Sequence, residues 1–191
     1  SPDGTRLAAA NEDGTLTIWD PTTGQETLSL PRMSGLYSVA FMPDGKRVVT
    51  AHQDGTTKVW DAVSGQLLLT LAGHVSTVVD VASSLDGKQI ATAGFDGTIR
   101  IWDAAPGREL LTLAAHTDQA YDVRYSPDGA QVATVGMDGY ARIWDASTGQ
   151  LAIELAPGSP LTSLAYSPDG KLLAAGGVDG MVYAWDLDTG K

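Results

Sequence analysis

Five Trp-Asp pairs recur along the chain at an almost constant interval, and this interval is the strongest constraint on the fold. Successive tryptophans are 41 or 42 residues apart. A second marker, a turn of the form Ser-Pro-Asp-Gly, keeps the same phase, because its aspartate lies 16 residues before each tryptophan. Two independent markers in a fixed phase indicate an array of repeats of about 42 residues.

The most complete repeat runs from Gly73 to Asp103 and is patterned for β-strands. Ile99 and Ile101 alternate with more polar neighbours, which is the period-two pattern of a strand. An Asp-Gly pair, a strong hairpin signal, stands six residues before each tryptophan. No segment has a helical periodicity of useful length, so the sequence predicts an all-β protein.

With the added Gly-His of Gly73 and His74, these repeats resemble those of the WD-repeat β-propeller family over nearly the whole chain. The resemblance implies a β-propeller built of four-stranded antiparallel blades, with five blades present. We expect the first blade to lack its inner strand, since Ser1 already opens a turn, and the last blade to lack its outer strand. The propeller segment covers residues 1–191, with blades at approximately 1–30, 31–71, 72–113, 114–155 and 156–191.

The incomplete terminal blades raise the question of closure. An apolar strand edge such as 181–185 favours aggregation when it is left unpaired. We therefore interpret the chain as part of a longer propeller, with the missing blades or other domains supplied by the parent chain. A self-closed ring of five blades is the alternative.

The composition of the chain argues against several classes of binding partner. The chain has 12 basic and 23 acidic residues and a net charge of −11, whereas nucleic acids and anionic membranes require clustered cations. It has no cysteine, which excludes disulfides and thiolate metal sites, and no apolar run long enough to span a bilayer. We expect a soluble, cytoplasmic protein that binds neither nucleic acid nor membrane.

The resemblance also implies a structural tetrad in certain blades. In the family, an aspartate holds a histidine ring, and hydrogen bonds continue through a hydroxyl to the tryptophan indole. Two repeats contain all four residues: His74, Thr92, Asp96 and Trp102, then His116, Thr134, Asp138 and Trp144. A histidine, an aspartate and a hydroxyl also occur in hydrolase triads, but recurrence in successive repeats favours a structural role.

The other three repeats depart from this set. The second keeps Thr50, Asp54 and Trp60 but offers Arg32 or Met33 where the histidine is expected. The fifth has Ala175 in place of the hydroxyl and Pro157-Gly158 in place of Gly-His, and the first has Ala9. We expect these blades to be held more by packing than by polar chains.

Metal and cofactor sites are not indicated. A calcium loop needs several oxygen ligands at alternate positions, and single aspartates 41 or 42 residues apart do not supply them. His52 has no partner at metal-ligand spacing and is interpreted as an ordinary loop residue. We expect no metal, no cofactor and no catalytic residues.

Candidate binding residues follow from the family resemblance, which places partner contacts on the top face, near the start of the innermost strand and just before the turn aspartate. The corresponding residues are Tyr37, Gln53, Val79, Phe95, Tyr121, Met137, Thr162 and Val178. Most are apolar or aromatic, and exposed apolar groups mark interaction sites. The alternative is that they pack on each other or on a neighbouring loop.

Three functions are compatible with this pattern. The first is a non-catalytic platform that binds a peptide or partner domain, as the sensor or regulatory part of a larger multidomain protein. The second is a structural spacer or self-assembly module whose exposed strand edges pair between chains. The third is a propeller enzyme, which would need one repeat to depart from the others with a cluster of reactive residues, and none does.

Overall fold

The computed structural model describes residues 1–11, 13–33 and 35–189, so the end of the expected fifth blade, 190–191, lies outside the described residues. Within those ranges the chain forms strands and turns, with no helix that could cross a membrane. The strands are β1 (Leu7–Ala10), β2 (Leu16–Trp19), β3 (Glu26–Leu30), β4 (Leu36–Phe41), β5 (Arg47–His52), β6 (Thr56–Asp61), β7 (Leu67–Ala72), β8 (Val78–Ser83), β9 (Gln89–Gly94), β10 (Ile99–Asp103), β11 (Glu109–Leu113), β12 (Ala120–Tyr125), β13 (Gln131–Gly136), β14 (Ala141–Asp145), β15 (Leu151–Leu155), β16 (Leu161–Tyr166), β17 (Leu172–Gly177) and β18 (Val182–Asp186).

These strands form five antiparallel sheets in chain order. The first sheet has the order β1-β2-β3 and the last has β16-β17-β18, while the three sheets between them have four strands each. Every neighbouring pair within a sheet is consecutive in sequence, so each sheet is a simple meander. The predicted all-β architecture is confirmed, including the three-stranded first and last sheets.

Glycine makes the turns within each sheet possible. In the Ser-Pro-Asp-Gly turn of the fourth sheet, Gly129 has φ of 74° and donates its backbone N–H to the carbonyl oxygen of Ser126 at 2.8 Å. Asp128 accepts the Ser126 hydroxyl at 2.6 Å and the Ala130 N–H at 3.0 Å. A side chain is strained at such positive φ, which explains why glycine recurs here.

The apolar core lies between sheets rather than within one central mass. Val59 and Leu71 of the second sheet pack with Ile90 and Trp102 of the third, and equivalent clusters join the third to the fourth sheet and the fourth to the fifth. The first strands of the second to fifth sheets also contact one another in order. Each sheet is thus stabilised chiefly by its immediate neighbours.

The strands run in alternate directions, so the turns fall at two ends of the molecule. The upper end carries the Asp-Gly turns and the loops that connect one sheet to the next. The lower end carries the Ser-Pro-Asp-Gly turns and the Trp-Asp turns. Residues at a given place in each repeat therefore lie side by side at one end.

Candidate interaction surface and the polar chains beside it

Four β-bulges lie at the upper end of the first strands of the second to fifth sheets. The register between β4 and β5 shifts between Leu36 and Ser38, which leaves Tyr37 in the bulge. Val79, Tyr121 and Thr162 hold the same place in β8, β12 and β16. A bulge redirects a side chain relative to the strand ladder and is common near functional sites. Four of the eight predicted contact residues occupy these bulges.

The other four predicted contact residues form a second row beside the bulges. Each directly follows the second strand of its sheet and donates its backbone N–H to a carbonyl oxygen two residues before the bulge, at 2.8 to 3.0 Å. These four residues are Gln53, Phe95, Met137 and Val178. The recurring hydrogen bond places both rows together at the upper end of each sheet.

Three aromatic rings from this set meet across neighbouring sheets. The ring centroids of Tyr37 and Phe95 are 6.4 Å apart in an edge-to-face arrangement. Those of Phe95 and Tyr121 are 5.3 Å apart. We call these three residues the aromatic cluster. Its rings pack on each other, yet Tyr37 keeps 48% of its surface exposed, so the cluster still offers an aromatic face to solvent.

The remaining predicted contact residues differ in exposure. Gln53, Thr162 and Val178 are exposed, whereas Val79 is partly buried against the core between the third and fourth sheets. Met137 is half-buried and lines a cavity of about 190 Å³. The structure therefore joins three of the eight residues in one cluster and places the others around the same end.

In the third sheet, a chain of hydrogen bonds runs from the upper turn into the core. His74 Nδ1 lies 3.1 Å from each carboxylate oxygen of Asp96, and its Nε2 lies 2.8 Å from Thr92 Oγ1. The Trp102 indole N–H donates to the same Thr92 oxygen at 3.0 Å. Asp96 also accepts the backbone N–H of Val75 at 2.9 Å. These hydrogen bonds thus connect the loop between the second and third sheets to the Asp-Gly turn of the third sheet.

The fourth sheet repeats this geometry. His116 Nδ1 lies 2.8 Å from Asp138, its Nε2 lies 3.0 Å from Thr134 Oγ1, and the Trp144 indole donates to that oxygen at 3.1 Å. Burial lowers the pKa of His116, and of His74 in the third sheet, although the neighbouring carboxylates oppose the shift. Both imidazoles are therefore neutral at neutral pH.

These sets of histidine, aspartate and threonine differ from a hydrolase triad because the threonine hydroxyl is not free to act as a nucleophile. Thr92 and Thr134 are fully buried, and each hydroxyl oxygen already accepts an indole N–H. A nucleophile must reach the substrate with its oxygen free to attack. The geometry of these two chains is that of a structural connection.

His52 corrects one expectation from the sequence. It is not a loop residue: it ends β5 and is 0% exposed. Its Nε2 lies 2.8 Å from Thr50 Oγ1, which also accepts the Trp60 indole N–H at 2.8 Å. The second sheet therefore has a polar chain after all, with an imidazole that comes from the strand instead of the preceding loop.

The equivalent positions in the third and fourth sheets show why this relocation is possible. They hold Gly94 and Gly136, and a Cβ at either would overlap the imidazole of His74 or His116. In the second sheet, Met33 donates its N–H to Gly14 at 2.8 Å, just as His116 donates to Gly97, so Met33 takes the place of the loop histidine. Without a ring in the loop, the strand position has room for one.

The fifth sheet uses a different partner for its turn aspartate. The Tyr183 hydroxyl donates to Asp179 at 2.5 Å, and the Tyr183 ring stacks on Trp185 with centroids 6.2 Å apart. In the first sheet, the Asn11 amide donates to the hydroxyls of Thr15 and Thr17 at 2.9 and 3.0 Å. These two sheets therefore combine packing with shorter polar contacts.

An ionic group near the common axis, with two buried carboxylates and a partly exposed arginine, was not predicted from the sequence. Asp80 accepts the Ser38 hydroxyl at 2.8 Å, and Asp122 accepts the Leu164 backbone N–H at 2.9 Å, so each carboxylate links its sheet to another. Arg124 lies 2.5 Å from Asp80 and 2.9 Å from Asp122. Burial, together with the nearby Asp80 charge, raises the pKa of Asp122 to about 7.

In the part of the chain that the structure describes, no three or more histidine, aspartate or glutamate residues are grouped so that they could hold a metal ion. The carboxylates of the upper turns instead accept hydrogen bonds within their own turns, as Asp96 does from the Thr98 N–H at 3.0 Å.

Comparison with known families agrees with this architecture. Residues 35–191 match the family described as IFT122 first beta-propeller, and residues 1–20 match the family described as WD domain, G-beta repeat. A search of curated proteins found no match. Propellers of these families generally serve as protein-interaction scaffolds and are typically non-catalytic.

The recurring sheets, the polar chains that end on a Trp-Asp pair and the match over most of the sequence lead to one conclusion. The chain belongs to the WD-repeat β-propeller proteins and, within them, to the family described as IFT122 first beta-propeller.

Proposed function

We propose that this chain is a non-catalytic interaction platform that binds a peptide or a partner domain at its upper end. The aromatic cluster of Tyr37, Phe95 and Tyr121 is the observation that carries the proposal. Aromatic residues dominate binding energy at interfaces because they bury a large area with little loss of conformational freedom. The platform would act as the sensor or regulatory part of a larger multidomain protein.

The rigidity of the surrounding elements supports this proposal. Each ring is attached to a bulge or to the residue after a strand, and backbone hydrogen bonds hold these positions at 2.8 to 3.0 Å. The polar chains of the third and fourth sheets then fix the adjoining loops. A preorganised surface loses little conformational entropy on binding, so weak individual contacts can add up to useful affinity.

The proposal can be tested by selecting displayed peptides on the wild-type protein and measuring their affinity for variants. Combining Phe95→Ala with Tyr121→Ala should weaken the selected peptides about tenfold or more, as expected for loss of interface anchors. Gln66→Ala, at the lower end, is the matched control and should leave binding unchanged. Equal affinity for wild type and the double variant, with both folded by circular dichroism, would contradict the proposal.

A second candidate, a self-assembly module, is favoured by one observation on the last sheet. Val182 is 75% exposed, whereas Leu16, Ile99 and Ala141 at the same place in other sheets are 0% exposed. In the described part of the chain β18 pairs only with β17, so its other edge presents free backbone groups. Concentration-dependent association that Val182→Lys abolishes would support self-assembly through this edge.

A further inference from the structure

One Ser-Pro-Asp-Gly turn departs from the others at the lower end. Leu85 in the third sheet stands where the other four copies have proline, and 70% of its surface is exposed. An exposed leucine in a turn has no structural need there, because proline sets the backbone angle of this position more favourably. The departure therefore calls for another explanation.

At three of the four junctions, the glycine of one lower turn lies near the proline of the preceding sheet's turn. A Cβ placed on Gly45 would lie 3.8 Å from Pro2, one on Gly87 would lie 3.7 Å from Pro43, and one on Gly170 would lie 3.5 Å from Pro127. At the fourth junction, where Leu85 replaces proline, the corresponding Gly129 has no neighbouring atom within 4 Å.

A groove lies at this junction between the third and fourth sheets, and a smaller cavity of about 310 Å³ lies at the next junction, where Pro127 is present. The groove has a volume of about 610 Å³ and is lined by Leu85, Gly129 and Ala130 among others. A cavity of about 290 Å³ lies beside the groove, lined by Phe41, Tyr125 and again Leu85. We call the groove and this adjoining cavity together the lower groove. Its size is within the range of ligand-binding clefts, and Leu85 borders both parts.

The larger part of the lower groove is acidic. Asp86, Asp128 and Asp145 line it, and the one lysine, Lys88, lies 3.3 Å from Asp86 with its side chain 81% exposed. A hydrogen bond from the Ser126 hydroxyl lowers the pKa of Asp128, and bonds from Ser147 and Thr148 lower that of Asp145 to about 2. These carboxylates are therefore charged at any physiological pH.

We propose that the lower groove binds a basic linear segment of a partner protein, with an apolar side chain against Leu85 and lysine or arginine side chains toward Asp86, Asp128 and Asp145. Charge complementarity selects the basic segment, since the groove carries three carboxylates against one lysine. The exposed leucine supplies the apolar contact that a purely ionic site lacks. This surface lies at the end opposite to the aromatic cluster, so the chain would hold two partners at once.

The probe is a fluorescent nonapeptide that alternates lysine with leucine, compared with the same peptide carrying glutamate in place of every lysine. The wild-type protein should bind the lysine peptide saturably and the glutamate peptide not at all. Added salt should weaken binding, because the contacting charges are exposed. Absence of saturable binding of the lysine peptide, or equal binding of both peptides, would overturn the proposal.

The decisive variant is Leu85→Pro, which restores the residue of the other four repeats and so is compatible with the fold. It should weaken binding of the lysine peptide about tenfold, because it removes the apolar anchor side chain. Val75→Ser removes an apolar side chain, 87% exposed, from the upper end and should leave the affinity unchanged. If Leu85→Pro binds as tightly as wild type, or Val75→Ser weakens binding to the same extent, the lower groove is not the site.

Discussion

His52 Nε2 lies 2.8 Å from the hydroxyl oxygen of Thr50, so the second sheet obtains its imidazole from within a strand. In the third sheet, the imidazole of His74 reaches the equivalent hydroxyl of Thr92 from the preceding loop, also at 2.8 Å. Two different backbone positions thus place the same ring beside the same threonine. An imidazole at the strand position requires that the loop position carries none, and the reverse also holds.

The first prediction concerns His52→Gly, which gives the second sheet the strand residue of the third and fourth sheets. It removes the ring beside Thr50 and leaves a buried void, so we expect a loss of about 2 to 3 kcal/mol in the free energy of unfolding. Urea unfolding followed by tryptophan fluorescence measures this loss. A change below about 0.5 kcal/mol, the range of ordinary surface substitutions, would show that His52 contributes nothing there.

A second prediction tests the exchange between the two positions. Adding Met33→His to His52→Gly supplies an imidazole from the loop, at the backbone place that His116 occupies in the fourth sheet. The double variant should recover about 1 kcal/mol relative to His52→Gly alone, since one buried hydrogen bond is regained. Met33→His by itself should not stabilise the protein, because His52 already fills the space. If the effects of His52→Gly and Met33→His on the free energy of unfolding simply add, an imidazole from the loop does not replace the one from the strand.

The third prediction concerns Gly94→Ala, which adds a side chain beside the His74 ring instead of removing one. The new methyl group would overlap the His74 ring and lie 2.7 Å from Asp96 Oδ1, so the polar chain of the third sheet must shift. Overpacking of this kind typically costs about 1 to 3 kcal/mol. The cost should shrink in a His74→Ala background, where the ring is absent. An equal cost in both backgrounds, measured by thermal and urea unfolding, would mean that the glycine is needed for another reason.

The fourth prediction concerns the tryptophans that end the polar chains. Trp102→Ala and Trp144→Ala each remove a buried side chain, 3% and 8% exposed, together with an indole hydrogen bond to threonine. We expect each to lower the free energy of unfolding by about 3 to 5 kcal/mol. Gln66→Ala, in an exposed turn, is the control. Similar urea midpoints for Trp102→Ala and Gln66→Ala would contradict the assignment.

The fifth prediction is a pH dependence from Asp122. Its pKa is raised to about 7 in the folded protein, from an ordinary value of 3.8, by burial and by Asp80, and Arg124 offsets only part of the shift. Between those two values the folded protein keeps a proton that the unfolded chain has released. The contribution of Asp122 to stability therefore falls as pH rises from about 4 to about 7.

Asp122→Asn measures this contribution, because asparagine cannot lose a proton. The free energy of unfolding of the variant, relative to wild type, should increase by about 1 to 3 kcal/mol between pH 5 and pH 8. His74 and His116 have lowered pKa values, so their contribution to stability rises with pH. That contribution is the same in the variant and in the wild type and cancels in the comparison. Asp169→Asn, an exposed turn carboxylate with a lowered pKa, should show no such trend in this window.

Much of the fold follows from the sequence because the signals are local. Asp-Gly and Ser-Pro-Asp-Gly turns determine where each strand reverses, and the constant interval between tryptophans then places equivalent strands in each sheet. The resemblance to the WD-repeat family likewise predicts that His74 and His116 meet the threonine, aspartate and tryptophan of their own repeats. These inferences need only the geometry within one repeat.

Two kinds of feature could not be predicted from the sequence. One is a contact between repeats, and the other is an imidazole supplied from an unusual backbone position. His52 was misread because a strand residue replaces a loop residue, although its alignment with Gly94 and Gly136 contains the signal. Asp80 and Arg124 meet only because β8 and β12 lie side by side near the axis. The packing among Tyr37, Phe95 and Tyr121 depends in the same way on the distance between sheets.

The packing of each sheet against its immediate neighbours bears on how such a gene can change. Recombination between two misaligned copies would add or delete one whole unit of about 42 residues and would join faces that already fit one another. Selection could then act on the number of units separately from the side chains at either end. A protein of this kind can therefore change its number of sheets in evolution by steps that keep the packing between most neighbouring sheets.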